Sequence, residues 1–329
     1  MRQGMLLTSL ALLVATLFAA SLLVGPAGIG IRSSLAALFR GDGGATVLVM
    51  REIRLPRAIL GLFVGAGLGL AGAAMQGVLR NPLAEPGLIG VSGGAALGAV
   101  LAIHTGLYAT LALGLPLAAL AGAAVSVAAI LALAGPGART LTLILAGIAV
   151  SALAGALTSL VLNLSPNPYA AAEIVFWMMG SLADRSMAHV WLAMPAILAG
   201  MALLLTLGRG LDALTLGEDA AASMGFAIPR LRLALIGGTA AVVGGATAVA
   251  GTVGFVGLVV PHLLRRATGG LPSRLLPASA LGGAAMLLAA DLATRLIAPE
   301  RDLKLGVLTA LVGAPFFLLL VRRTAREAM

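Results

Sequence analysis

Few residues of this sequence could do chemistry, and those that could are widely spaced. The run Gly90-Val-Ser-Gly93 matches the Gly-x-Ser-Gly pattern of intramembrane serine proteases, in which a serine on a helix needs a histidine as its base. On the same predicted helix, His104 lies about three turns beyond Ser92. Four residues dominated by glycine are weak evidence in a chain with 44 glycines. The sequence therefore argues against a protease.

The three histidines raise the question of haem ligation, which we do not expect. His262 is predicted at the inner end of a helix beside Arg265 and Arg266, where a structural or interface role fits better. His104 and His189 are predicted at the outer surface, where a lone histidine is usually solvated or hydrogen-bonded. The chain has no cysteine, which excludes disulfides and thiolate metal sites. We predict that this chain binds no metal and no cofactor.

Asp291 is the main acidic side chain expected deep inside a membrane-spanning segment. An intramembrane carboxylate normally faces the interior of a helix bundle and pairs with another group. Arg295 follows one helical turn later and is the expected partner. The pair could orient Arg295 for another contact or simply neutralise both charges, and the sequence leaves both roles open.

The composition is that of a membrane protein. Of 329 residues, 60% are apolar and 10% are charged, and the mean hydropathy is +1.09. A soluble domain carries about 25% charged residues. Residues 58–79 and 86–138 contain no charge, and crossing a bilayer takes roughly 20 residues per helix. With this hydropathy we assign the net charge of +9 to anchoring beside the membrane rather than to nucleic-acid binding.

The sequence contains no P-loop for ATP. Lys304 is the only lysine among the 21 basic residues, and no Gly-x-x-x-x-Gly-Lys-Ser/Thr run is present. A P-loop needs that lysine to reach the phosphates. We therefore predict that the chain is not an enzyme and has no ATPase activity of its own.

Hydropathy and helix breakers predict one all-α membrane domain over residues 1–329 with about ten transmembrane helices. The predicted spans lie near 5–24, 57–79, 88–104, 111–134, 141–163, 188–207, 231–249, 253–267, 275–297 and 305–321. The first is interpreted as a transmembrane helix rather than a signal peptide, because it is long enough to span. The segments 31–52 and 168–180 are predicted not to span and to lie on the periplasmic side, with the N-terminus cytoplasmic.

Small residues recur at four-residue spacing along several predicted helices. Such rows allow helix backbones to approach closely in lipid. They fit either tight packing or the wall of a conduit that can slide, and the sequence does not separate the two. The rows are Gly61, Gly65 and Gly69; Gly90, Gly94 and Gly98; Gly147, Ser151, Gly155 and Ser159; and Gly237, Ala241 and Gly245.

Motifs spread over nearly the whole chain resemble those of the FecCD-type permeases, which import iron–siderophores, haem and vitamin B12. The most informative passage runs from Arg54-Leu-Pro-Arg57 through Met75-Gln76-Gly77 and Arg80-Asn-Pro-Leu-Ala-Glu-Pro-Gly87 to Leu88-Ile-Gly-Val-Ser-Gly-Gly94. The further matches, in the family's order, are Leu145-Ala-Gly147, Phe176-Trp-Met-Met-Gly-Ser181, Leu216-Gly-Glu218, Ala222-Ser-Met-Gly225, Gly254-Phe-Val-Gly-Leu-Val-Val-Pro-His262 and Leu305-Gly-Val-Leu-Thr-Ala-Leu-Val-Gly-Ala-Pro315.

This resemblance implies the permease subunit of a type II ABC importer in the bacterial inner membrane. Two copies would form a homodimer with a central translocation pathway that works by alternating access. Two cytoplasmic ATPase subunits would hold ATP and Mg, and a periplasmic binding protein would deliver the cargo. The cargo would be an iron complex, either a siderophore or haem, or cobalamin. The other partner is membrane lipid, and nucleic acid is not expected.

The resemblance also implies a docking site and a coupling segment. In the family, outward-facing arginines receive carboxylates of the binding protein, which suits the rigid fork of a guanidinium group. The corresponding residues here are Arg54, Arg57 and Arg295, with Arg51 as a further candidate. Residues 212–229 would form the cytoplasmic segment that inserts into the ATPase. Its named positions are Leu216, Gly217, Glu218, Asp219, Ser223, Met224 and Gly225. The simpler alternatives are interfacial snorkelling for the arginines and a solvated loop for the segment.

By analogy with the vitamin B12 importers of the family, a cytoplasmic gate would lie at the turns after the second and fourth helices. Motif position then points to Asn81 and Leu83 in the first turn and to Thr140 and Leu141 in the second. The second pair departs from the family's Thr-Ser arrangement. As an alternative, these four are ordinary turn and helix N-cap residues.

An ion-coupled secondary transporter is the alternative function. Such folds use inverted repeats, broken helices near the membrane midplane and buried ion sites. Deep carboxylates are nearly absent from this sequence, and Asp291 lies close to Arg295. Proton or sodium coupling therefore lacks the side chains that it needs.

Overall fold

The computed structural model describes residues 3–25, 28–39, 44–135, 137–138, 140–165, 167–297 and 303–327, and the regular elements within these ranges are all helical. In chain order the helices are α1 (Gln3–Leu23), α2 (Ile31–Phe39), α3 (Ala45–Leu48), α4 (Leu55–Leu79), α5 (Val91–His104), α6 (Leu107–Thr110), α7 (Gly114–Ala134), α8 (Thr140–Asn163), α9 (Pro168–Met178), α10 (Met187–Thr206), α11 (Gly208–Leu214), α12 (Glu218–Ser223), α13 (Ile228–Ala250), α14 (Val256–Arg265), α15 (Pro272–Ile297) and α16 (Leu305–Glu327). A π-helical turn, Val49–Arg54, joins α3 to α4, and a 3-10 turn, Pro86–Ile89, precedes α5.

Among the described residues, seven helical runs are long and apolar enough to cross a membrane, and three shorter apolar helices bring the set to ten. The shorter ones are Val91–His104, Val256–Arg265 and Leu305–Leu320. Each predicted span coincides with one of these ten, so the prediction of an all-α, multi-pass fold is confirmed. The run Ala45–Leu79 has 35 residues and is about 52 Å long, so it extends beyond a hydrocarbon layer of about 30 Å.

The central helix of the bundle is α4. Its Ala-, Leu- and Gly-rich sequence forms helix readily in lipid, Pro56 occupies its first turn, and Arg80 ends it in the left-handed conformation, with φ of 46°. Side chains such as Leu60, Val64 and Leu70 have no exposed surface. The helix packs against α15, α14, α10 and α13, so nearly every other part of the bundle is positioned relative to it.

Glycines place α4 in direct backbone contact with α15 and α14. A Cβ atom added at Gly69 would lie 2.2 Å from the carbonyl oxygen of Ser279, and one at Gly65 would lie 2.4 Å from that of Gly283. At Gly72, the added Cβ would lie 2.0 Å from the oxygen of Gly257 on α14. The predicted row of small residues on this helix therefore serves close packing, as small residues do in membrane bundles.

The other predicted rows are used unequally. Gly94 and Gly98 of α5 lie against α7, where a Cβ at Gly98 would come within 2.1 Å of the Ala118 carbonyl oxygen. By contrast, a Cβ at Gly155 of α8 or at Gly237 of α13 would meet nothing within 4 Å. Four-residue spacing alone therefore does not identify a contact, because a small residue also fits a face that the chain leaves open.

Replacing a contact glycine should destabilise the bundle, whereas replacing an open one should not. Gly69→Ala should lower the free energy of unfolding by about 1–3 kcal/mol, because its methyl group would meet a backbone carbonyl that cannot move alone. The matched control, Gly237→Ala, should raise it by about 0.5–1 kcal/mol, since alanine favours the helix and the space is open. Denaturant unfolding in detergent micelles measures both, and equal effects would contradict the contact.

Candidate functional sites

Asp291 lies at the centre of a cluster of charged side chains where α1, α4 and α15 meet. The carboxylate is 1% exposed. Its Oδ1 accepts hydrogen bonds from Arg57, with both Nε and Nη2 at 2.9 Å, and its Oδ2 pairs with Arg295 Nη2. The predicted pair with Arg295 is confirmed, and Arg57 joins it across the chain. Two guanidinium groups leave this carboxylate little capacity to bind a travelling ion, which weakens the case for an ion-coupled transporter.

The arginines of this cluster also complete the end of α1. A helix ends with carbonyl groups that have no partner within the helix, and these carry partial negative charge. Arg54 Nη1 donates to the carbonyl oxygens of Leu22 at 3.0 Å and Leu23 at 2.9 Å. Arg295 Nη1 donates to the carbonyl oxygen of Ser21 at 2.9 Å. Nothing in the sequence indicated this role, because the acceptors are backbone carbonyl groups.

These contacts separate the arginines that were predicted to dock a partner protein into a buried pair and a more accessible pair. Arg54 is 4% exposed, and the side chain of Arg295 is 6% exposed, so both would have to leave α1 to reach a partner. The side chain of Arg57 is 20% exposed. Arg51 is half-buried and donates to the carbonyl oxygen of Leu38 on α2 at 2.8 Å. Arg57 and Arg51 are therefore the more accessible pair.

The first gate turn, residues 80–90, links α4 to α5. Asn81 is exposed, and its Oδ1 accepts a hydrogen bond from the Leu83 amide at 2.9 Å, which holds the turn. Glu85 lies in the same turn and is half-buried. The side chain points inward, where Oε1 accepts from the Phe255 amide at 2.8 Å, because the first amides of α14 need an acceptor.

Gln76 attaches this turn to α14. Its side chain is 1% exposed, and Nε2 donates to the carbonyl oxygens of Leu258 at 3.2 Å and Ala84 at 3.4 Å. Its Oε1 accepts from Arg265 Nη2 at 2.8 Å. A buried amide costs free energy unless it is hydrogen-bonded, so these bonds fix the turn to α14. The motif that contains Gln76 did not indicate this role, although a lone amide in a Gly/Ala helix was a signal.

The second gate turn, residues 135–140, leads into α8, and residues 136 and 139 lie outside those described. Thr140 is half-buried at the start of the helix, and Leu141 is 65% exposed. Thr140 lines a small apolar cavity together with Leu79 and Ile89. The structure thus brings the end of the second turn close to both ends of the first.

Two short helices, α11 and α12, form a hairpin over residues 208–223, called here the coupling hairpin. Leu211 and Leu214, on the inner side of α11, are buried. By contrast, Leu216 is 70% exposed, and Met224, which follows α12, is 59% exposed. Gly217 joins the two helices with φ of +113°, a conformation that favours glycine. The predicted coupling residues therefore include an apolar pair that faces outward from a fixed support.

Two acidic residues tie the coupling hairpin to the bundle. Asp212 Oδ1 accepts from the Ser273 amide at the start of α15 at 2.8 Å, and Glu218 Oε1 pairs with Arg232 Nη2 of α13 at 2.5 Å. Asp219 and Ser223 are exposed on the outward side of α12. Arg295 follows Ser273 by 22 residues on α15, a rise of about 33 Å. The hairpin and the Asp291 cluster therefore lie a membrane's thickness apart.

A cavity of about 160 Å³ lies inside the bundle between α4, α5, α13 and the segment 251–257. Its polar lining comes from Glu85, Ser92, Thr247 and Thr252. Ser92 is in the first turn of α5, whereas His104 ends that helix, about 18 Å away. The serine and the histidine of the candidate protease motif are therefore not brought together.

The remaining histidines have structural contacts. The Nδ1 atom of His189 accepts from the Ser186 amide at 3.3 Å and so closes the first turn of α10. The ring of His262 meets that of Phe316 edge to face, with centroids 5.5 Å apart. Within the described ranges, no three His, Asp or Glu side chains lie close enough together to hold a metal ion.

Comparison with known proteins agrees with this architecture. Residues 12–323 match the FecCD transport family. The chain is 40% identical over 275 residues to the Fe(3+) dicitrate transport system permease protein FecD of Escherichia coli K12, covering 84% of this chain and 85% of that protein. It is 41% identical over 277 residues to the cobalamin import system permease protein BtuC of Halobacterium salinarum, covering 84% of this chain and 73% of the relative.

A solved structure described as an inward-facing conformation of a metal-chelate type ABC transporter superposes on this chain with a TM-score of 0.86 and 33% identity. The superposition covers 97% of this chain and 99% of the other. The matched sequence, the ten apolar helices and this shared architecture lead to one conclusion. The chain belongs to the FecCD transport family and is a multi-pass permease subunit of an ABC importer.

Proposed function

We propose that this chain is the permease of a binding-protein-dependent importer for an iron complex or cobalamin, located in the bacterial inner membrane. Separate ATPase subunits drive it, and those subunits hold ATP and Mg. The observation that carries the proposal is the coupling hairpin, which holds Leu216 and Met224 outward on a support fixed by Asp212. Amphipathic helical segments of this kind dock into apolar grooves of partner proteins.

Two copies of the chain form the pathway. The cavity between α4, α5, α13 and the segment 251–257 is about 160 Å³, which is small beside the roughly 300–1,000 Å³ of pockets that hold a drug-sized ligand. A larger cavity of about 510 Å³ lies among α5, α7 and α8, away from α4. Glycine–backbone contacts hold α4 against α15 and α14, so the bundle cannot widen without separating them. In this proposal a bulky metal chelate passes between copies, which leaves the close contacts of α4 intact. The names of relatives with iron-citrate and cobalamin systems support this class of cargo.

Transport proceeds by alternating access. A loaded binding protein docks at the end that bears the Asp291 cluster, where three arginines and one carboxylate leave an excess of positive charge. ATP-driven closure of the ATPases displaces the coupling hairpins about 33 Å away. The two gate turns then open and close the pathway at that inner end. Arg57 and Arg51 make the direct contacts with the binding protein, and Arg54 and Arg295 hold α1 in place.

Removing the outward apolar side chains of the hairpin should weaken the ATPase contact. Each buried leucine or methionine contributes about 1.5–3 kcal/mol, so Leu216→Ser with Met224→Ser should lower the affinity for the ATPase at least about tenfold. Titration of the purified ATPase onto the detergent-solubilised permease measures this. Tyr169→Ser, which replaces a side chain 85% exposed on α9, is the control and should keep wild-type affinity. A doubly substituted permease that binds the ATPase normally would contradict the assignment.

Removing the accessible arginines should slow docking of the binding protein. Arg51→Gln with Arg57→Gln should lower the association rate about threefold to tenfold at low ionic strength, and salt should reduce the difference, because rim charges steer encounter. Association onto the reconstituted importer at several salt concentrations measures this. The control is Arg32→Gln, which removes an exposed positive charge from α2. An unchanged association rate in the double variant would overturn the docking role.

A further inference from the structure

Arg232 touches both the coupling hairpin and the second gate turn. We propose that Arg232 is a positioning residue that transmits movement of the coupling hairpin to the second gate turn. This inference rests on the proposed function, since it assumes that residues 208–223 contact an ATPase and that Thr140 and Leu141 belong to a gate. It adds to that function the side chain that joins the two.

The geometry places one guanidinium group between two chain segments. Arg232 Nη2 lies 2.5 Å from Glu218 Oε1 at the start of α12, and Nη1 donates to the carbonyl oxygen of Ala138 at 3.4 Å. Ala138 lies in the second gate turn, two residues before Thr140. The stem of Arg232 lines the same cavity as Thr140, Leu79 and Ile89, so it also borders both ends of the first gate turn.

Charge and burial hold the guanidinium group of Arg232 firmly to the carboxylate of Glu218. The side chain of Arg232 is 11% exposed, and a guanidinium group stays charged under all physiological conditions. Within the described ranges its carboxylate partner is Glu218, and an uncompensated buried charge is strongly unfavourable. The guanidinium therefore follows Glu218 when α12 moves. Through its bond to the carbonyl oxygen of Ala138, it carries the second gate turn with it.

The hydrogen bond between Asp212 and the Ser273 amide gives this movement a fixed point. Asp212 holds α11 to the start of α15, and glycine contacts lock α15 to α4. Gly217, with φ of +113°, separates that fixed part from α12. Glu218 lies on the α12 side of Gly217, which the bond from Asp212 does not hold. Displacement of α12 about Gly217 thus reaches the second gate turn through one side chain.

The first test compares transport with ATP consumption in liposomes that contain the complete importer. Arg232→Gln should lower the amount of cargo imported per ATP about tenfold, in the range of known couplings between sites, while ATP hydrolysis continues. Arg230→Gln is the matched control, because it removes an exposed arginine from the same turn of α13. A variant that imports wild-type amounts of cargo per ATP would overturn the proposal, as would an equal loss in the control.

The second test measures movement directly and separates this inference from the proposed function. Because the chain has no cysteine, nitroxide labels at Ala222→Cys in α12 and Thr142→Cys in α8 report on the two sites individually. In the wild-type dimer, both inter-copy distances should change when ATP is trapped. In Arg232→Gln, the distance at 222 should still change, whereas the change at 142 should be lost. A wild-type change at 142 in this variant would refute Arg232 as the link, and immobility at 222 in the wild type would refute the coupling assignment itself.

Two further variants test the proposal if Arg232→Gln does not fold: a substitution of Glu218 alone and an exchange of the two charges. Glu218→Gln alters the half-exposed partner and leaves the bond to Ala138 in place, so it should fold and show the same loss of cargo per ATP. The double variant Arg232→Glu with Glu218→Arg should recover at least part of the coupling. Wild-type coupling in Glu218→Gln would overturn the proposal, because α12 would then act on the turn without this pair.

Discussion

A buried guanidinium group cannot discharge itself and is costly to bury without acceptors, and this constraint organises both ends of the bundle. At one end, Arg54 and Arg295 find acceptors in the carbonyl groups that finish α1, and Arg57 and Arg295 share the carboxylate of Asp291. At the other, Arg265 is held by Gln76 and Arg232 by Glu218. These arginines join separate segments of the chain: α1 to α4 and α15 at one end, and α14 to α4 and α12 to α13 at the other.

The bundle combines backbone contacts that cannot slide with side-chain contacts that can exchange. Where α4 crosses α15 and α14, glycines bring carbonyl oxygens within about 2 Å of the place a methyl group would occupy, and close-packed surfaces of this kind have few alternative arrangements. The gate turns are held instead by hydrogen bonds that Gln76 and Arg232 donate and that Glu85 accepts, with partners up to 3.4 Å away. A transport cycle needs both kinds of contact, because a rigid frame gives the small displacement of one turn a defined direction.

The helices and one ion pair could be predicted from the sequence, because both depend on local information. Ten apolar segments and the spacing of Asp291 and Arg295 depend on residues that are close in the chain. Arg57 could not be assigned to Asp291, since the partners are 234 residues apart and no periodicity connects them. The capping of α1 and the inward turn of Glu85 were missed for a related reason. Their acceptors and donors are backbone groups, which every residue carries and which therefore leave no mark in the sequence.

The partnership between Arg57 and Asp291 has a consequence for how the chain is made. Arg57 leaves the ribosome 234 residues before the carboxylate that will neutralise it, and Arg54 leaves three residues earlier still. At 5–20 residues per second, the nascent chain waits on the order of 10–50 s for that carboxylate. During this interval the arginines have only the end of α1, lipid headgroups and water as partners. The first two spans are therefore expected to remain loosely associated until the ninth is inserted. Quality-control proteases would degrade the incomplete chain most readily in that period.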